Sequence, residues 1–129
     1  LLKRGEIYFG ESKYQDALAA YKKALSHPRR EVKALAQLGI GESYLKLGQQ
    51  KIALSELMKV YYLYPEQKEA VVRALLGAGE IYVGRQQWNE ASQAYRKVIT
   101  LSPKGEEGVK AREMLKVIEE SRRREKEKD

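Results

Sequence analysis

Three glutamates, Glu6, Glu42 and Glu80, stand in one repeated setting: each directly follows a glycine and precedes a tyrosine by two residues. Carboxylates can hold a metal, work as an acid and base pair, or recognise a cation on a partner. Hydrolytic carboxylate pairs lie within about 5–10 Å of each other, whereas these three recur 36 and 38 residues apart along the chain. The lone His27 and the absence of cysteine remove thiolate metal sites and leave no imidazole cluster for acid–base work. No Gly-rich phosphate loop follows a strand, and no nucleophile has a recognisable setting. The residues favour recognition over catalysis: no enzyme, no cofactor, no metal and no small-molecule substrate is expected.

The formal charge of +7 raises the question of a nucleic-acid partner. Its distribution argues against one. Residues 119–129 hold five bases and five acids and net zero, so the excess lies in the body, most densely at Lys22, Lys23, Arg29, Arg30 and Lys33, with Glu31 among them. Such a cluster reads as a solvated helix end rather than a phosphate-binding stripe. No apolar run approaches the roughly 20 residues that span a bilayer, so no membrane insertion of this stretch is expected. The opening "LLKRGEIY" lacks methionine and reads as the inside of a helix, so the expectation is a piece of a longer protein, with its compartment left open.

The elements that position the glutamates repeat with them. Counting from Gly5, Gly41 and Gly79, a tyrosine follows at three residues (Tyr8, Tyr44, Tyr82) and an alanine at twelve (Ala17, Ala53, Ala91). Tyr21, Leu57 and Tyr95 follow at sixteen, and Ala24, Val60 and Val98 at nineteen. Pro65 and Pro103 stand at twenty-four, while Pro28 comes one place early. Each unit reads as two helices broken by "FGESK", "LKLGQQ" or "VGRQQ", with apolar residues at three- and four-residue spacing in the second. A helical hairpin cannot bury both of its apolar faces alone, so such units stack. The expected fold is all-α, about seven helices in one domain over residues 1–118, with repeats near 1–33, 34–70 and 71–104. A capping helix over 106–123 then frays into a charged tail, 119–129, supported by pairs such as Glu119 with Arg123 and Glu120 with Arg124.

This multi-point pattern resembles the tetratricopeptide repeat (TPR) over essentially the whole chain. The units exceed that family's usual length of about 34 residues, through "HPRREVKA" and "PEQKEAVVRA". In this longer form, closed by "KAREMLKVIEE", the chain is similar to bacterial cell-envelope TPR proteins of the YbgF/CpoB and BamD types. The resemblance implies a right-handed superhelical solenoid whose first helices line a concave groove. Glycine within a helix costs roughly 1 kcal/mol against alanine, and the expected return is close packing of Gly5 on Ala17, Gly41 on Ala53 and Gly79 on Ala91. The glutamate is turned about 200° from its tyrosine, onto a face shared by Leu2, Glu6 and Phe9, by Leu38, Glu42 and Leu45, and by Leu76, Glu80 and Val83. Gly39 and Gly77 would leave room beside it.

With Leu35, Lys46 and Arg73, these residues form the expected groove: apolar rows carrying a three-glutamate ladder. The expected occupant is a protein partner, a basic or amphipathic peptide or helix with Lys or Arg opposite the glutamates. Against this stands a plainer reading, in which each glutamate is solvated or paired locally, Glu6 with Lys3 or Glu42 with Lys46. A further alternative is self-association as a module of a larger envelope protein. Some TPR domains clamp a partner's terminal carboxylate with basic groove residues, but Leu2, Glu6, Gly39 and Gly77 with only Arg73 basic would repel one. In "YYLYP", Tyr61 and Leu63 fit the packed face. That leaves Tyr62 and Tyr64 outward, where they wrap the loop or form a second anchoring surface.

Overall fold

The computed structural model describes residues 1–128, and among these it holds seven α-helices and no strand. They are α1 (Leu2–Gly10), α2 (Tyr14–Ala24), α3 (Arg30–Lys46), α4 (Gln50–Leu63), α5 (Lys68–Gly84), α6 (Trp88–Leu101) and α7 (Glu106–Lys128). The all-α expectation holds. The chain forms two compact units, Leu1–Ala74 and Leu75–Asp129, with the division inside α5.

The turns after α1, α3 and α5 share one construction. Ser12, Gly48 and Gln86 adopt φ of 62°, 79° and 59°, the left-handed region that reverses a chain at a helix end. The next N–H then reaches back to a tyrosine carbonyl: Lys13 to Tyr8 at 2.9 Å, Gln49 to Tyr44 at 3.0 Å and Gln87 to Tyr82 at 2.9 Å. Each bond closes a Schellman-type end. The repeated tyrosine thus sits in the last turn of its helix, and the rings of Tyr8 and Tyr44 pack on the cluster of Ala17, Leu18, Tyr21 and Ile40.

In the first unit α2 buries Ala17, Leu18, Ala20, Tyr21 and Ala24, one stripe at helical spacing. Its ring residue explains the glycines. A methyl group at Gly5 would stand 2.7 Å from the Tyr21 ring, and one at Gly39 would stand 2.5 Å from it. Gly41 faces Leu57, whose Cδ2 would be 2.6 Å away. The expected alanine partners therefore need correcting: each glycine accommodates the large residue sixteen places on, while Ala17 and Ala53 lie fully buried one turn earlier. Helical side chains lean back toward the helix N-terminus, which carries the larger side chain over the glycine. The room expected beside Gly39 is filled by Tyr21.

Arg30, at the start of α3, ties down the end of α4. Its guanidinium donates to the Leu63 carbonyl at 2.6 Å and to both Glu66 oxygens at 2.9 and 3.0 Å, and lies 5.0 Å from the Tyr64 ring centre. This corrects the reading of "YYLYP". Tyr64 is buried beneath Arg30, whereas Leu63, expected inside, is 53% exposed. Tyr62 does face outward, 70% exposed, edge-on to Tyr61. The basic cluster is likewise partly engaged, since Arg29 pairs with Glu31 at 3.0 Å and Lys22 donates to the Tyr44 hydroxyl at 3.2 Å.

The hydrogen bond from Arg30 holds the Glu66 carboxyl down at about 2, below its ordinary 4.5. A depressed acid stabilises the fold above its unfolded value and loses that contribution as pH falls through the folded one. Thermal melts of Glu66→Gln should therefore show a flatter decline than the parent between pH 4.5 and 2. Because the pair is solvent-exposed, salt should flatten the parent's decline too. Identical acid limbs in the two proteins would refute the assignment.

In the second unit α6 buries Ala91, Ser92, Ala94, Tyr95 and Val98. Gly79 repeats the same device, since a methyl group there would stand 2.6 Å from the Tyr95 ring, while Ala91 is fully buried one turn earlier. α7 packs along α6 through Gly108, Ala111 and Ile118. Through the charged tail the helix continues to Lys128. Its anchors lie on α6, where the Trp88 indole donates to both Glu125 oxygens at 3.1 and 3.2 Å and Asn89 accepts from Arg122 at 3.0 Å. Of the two expected tail pairs, Glu119 with Arg123 is present at 3.6 Å. Asp129, the last residue of the expected tail, lies outside the described residues.

Candidate functional site

The expected groove residues meet different fates, which narrows the site. Leu38 is 1% exposed and cannot anchor a partner. The reason is the number of its neighbours: α3 packs against α1, α2 and α4 at once, so a periodicity that places Leu38 on the face of Glu42 does not place it at the surface. Leu2, Phe9, Leu35 and Leu45 are half-buried. Of these, Leu2 and Phe9 pack on the Tyr21 cluster, and Phe9 also meets Tyr14 edge-on at 5.2 Å. Lys46 is exposed, and neither a Glu42–Lys46 nor a Glu6–Lys3 ion pair forms among the described residues.

Glu42 is instead held by Arg73 of α5, whose Nη2 lies 3.2 and 3.3 Å from its two oxygens. The side chain of Glu42 is only 31% exposed. Burial raises its pKa above the ordinary 4.5, and Arg73 opposes that shift. Local sequence pattern does not reveal this partner, which stands 31 residues further on. Glu6 differs. It is exposed and enters no ion pair among the described residues. The register explains the difference, because the place that Arg73 takes six residues before Gly79 is taken by Leu35 six residues before Gly41.

Beneath this face the buried Tyr21 ring passes over Gly5 and Gly39. Its hydroxyl is pushed up to about 12, first by burial and then by the negative charge of Glu6 and Glu42. The first unit thus carries one open carboxylate, Glu6, and one closed by Arg73, Glu42, over a buried phenol that stays protonated.

The third glutamate belongs to the second unit. Glu80 pairs with Lys110 of α7 at 3.5 Å, and both side chains remain about half exposed. Leu76 and Val83 are half-buried. Tyr95 lies beneath this glutamate, pushed up to about 12 by burial and then by Glu80. Its hydroxyl is buried with no hydrogen-bond partner among the described residues. Among the described residues no group of His, Cys, Asp and Glu is arranged to hold a metal ion, and no helix is long and apolar enough to cross a membrane.

Comparison with known proteins follows the helical pattern. The family model described as tetratricopeptide repeat matches residues 35–66 and 73–105, together about half of the chain. No curated protein matches. Among solved structures, the first TPR domain of human RPAP3, determined by NMR, superposes with a TM-score of 0.76 at 22% identity, over 98% of this chain and 92% of that one. The first TPR of Spaghetti (RPAP3) bound to the HSP90 peptide SRMEEVD gives 0.74 at 23% identity, over 92% and 87%. The second TPR domain of human RPAP3 in complex with the HSP70 peptide SGPTIEEVD gives 0.69 at 22%, over 91% and 90%. These likenesses concern the fold, and none of them supports the bacterial-envelope resemblance.

Proposed function

Because the chain belongs to the tetratricopeptide repeat family, we propose that it is a non-enzymatic scaffold that binds a partner peptide or helix, with Glu6 as the carboxylate left open for a cationic side chain. The observation that carries this reading is the inequality within the glutamate row. Glu42 and Glu80 have cations of their own, whereas Glu6 stands exposed beside a protonated phenol and the half-buried Leu2. An incoming Lys or Arg would meet two carboxylates and one guanidinium there, with Leu2 and Leu35 offering apolar contact.

Peptide binding by the similar RPAP3 domains supports the class of function. Their peptides end in an acidic segment, EEVD, and such a segment would be repelled by Glu6 and Glu42. The reading for this chain is accordingly a partner of opposite charge. Selection of a displayed random-peptide library on the wild-type protein should enrich sequences with Lys or Arg next to an aliphatic residue. The enrichment should vanish on Glu6→Lys, an exposed substitution that leaves the core intact. Enrichment of acidic carboxyl-terminal peptides, or an unchanged selection on Glu6→Lys, would sink the proposal.

A further inference from the structure

A groove of about 530 Å³ runs between α6 and α7, lined by Ser92 and Arg96 on one side and by residues 115–126 of α7 on the other. Leu115, half-buried, is the apolar surface of its floor, with Ile118 at 2% exposed and the polar Ser92 at 6% closed beneath. Its rim is cationic. Arg96, Arg122, Arg123 and Lys126 face the groove against one acid among the described residues, Glu119. Glu119 neutralises Arg123 at 3.6 Å, and Asn89 fixes Arg122 at 3.0 Å while leaving its charge uncompensated. Arg96 and Lys126 enter no ion pair among the described residues.

We infer that this groove is a second binding site, independent of the Glu6 face, and that it takes an acidic peptide segment in which an aliphatic residue is flanked by carboxylates. The volume lies within the range of ligand-holding clefts, about 300–1,000 Å³. Guanidinium groups recognise carboxylates through paired N–H donors, and Arg96 and Arg122 stand on opposite walls, able to take carboxylates on either side of a side chain lowered onto Leu115. The aliphatic floor distinguishes this ligand from its rivals. No aromatic ring lines the groove to stack a base, which single-stranded nucleic acid would use. A free phosphate would leave the floor uncovered.

The probe is a fluorescein-labelled peptide, three glutamates, two leucines and three glutamates, followed by anisotropy with the full chain. Wild type should bind it, and the double variant Arg96→Ala with Lys126→Ala should bind at least tenfold more weakly. That variant spares Arg122, whose bond to Asn89 ties α7 to α6, and Arg123, which pairs with Glu119 within α7. Replacing the two leucines with serines should weaken binding several-fold. NMR titration of the wild-type chain, which needs no variant, should move the resonances of Ser92, Leu115 and Ile118. The inference is overturned by the absence of binding, by equal affinity of the double variant, by indifference to the leucines, or by a thymidine oligonucleotide or inorganic phosphate moving the same resonances more strongly than the peptide.

Discussion

Tyr21→Ala lowers the unfolding free energy by about 3–5 kcal/mol, the range for removing a large buried ring, while Tyr21→Phe stays within about 1 kcal/mol of the parent. The ring is 5% exposed and fills the space above both Gly5 and Gly39, so its removal leaves two backbones facing a void. The same geometry predicts coupling. Gly39→Ala alone places a methyl group 2.5 Å from the ring and should cost about 1–3 kcal/mol by overpacking. In a Tyr21→Leu background that cost should shrink, because the flat ring is what the methyl group meets. Urea unfolding of the four proteins measures the cycle, and strict additivity would refute the packing account. Alkaline pH supplies a second readout. The Tyr21 hydroxyl is raised from 10.0 to about 12, so its contribution is complete below pH 10 and is lost as pH climbs through 12. Tyr21→Phe should lose less stability over that window, although Tyr95 titrates in the same range and keeps part of the decline.

What could be read from the sequence was whatever repeats. Equal spacing of glycine, tyrosine and alanine shows the units, their helices and their turns, because the same local geometry must recur wherever it is stacked. Contacts that depend on how far a side chain reaches were not legible in the spacing. Ala17 and Tyr21 lie one turn apart on the same stripe of α2, and periodicity alone does not say which of them crosses Gly5. Burial of Leu38 depends on the three helices around α3, and the shelter of Tyr64 on an arginine 34 residues upstream. The ion pairs of the glutamate row are non-local in the same way. Glu42 finds its cation 31 residues on and Glu80 finds its own 30 residues on, so the row that looks uniform in sequence is chemically unequal in the fold. That inequality is what selects Glu6 from the three.

Gly108→Ala should be the most damaging single-methyl substitution in the second unit, costing about 3 kcal/mol, the upper part of the range for overpacking. Gly79, in the same unit, faces the far end of the Tyr95 side chain, and Gly84 faces open space. Gly108 faces backbone: a methyl group there would run into the Ser102 carbonyl oxygen, with the Pro103 oxygen 3.2 Å away, where α6 ends and the first turn of α7 begins. No rotamer relieves that contact, so α7 must lift from α6 or the turn must reshape. The far end of α7 reports the outcome, because Trp88, the one tryptophan of the chain, donates to Glu125 there. Gly108→Ala should shift its emission toward that of a solvated indole, and Glu125→Ala should reproduce part of that shift with a smaller loss of stability, since it removes one exposed hydrogen bond and no packing. A Gly108→Ala protein with parental emission and parental urea midpoint would show that α7 is not seated on α6 through this turn. It would also remove the wall on which the proposed acidic-peptide groove depends.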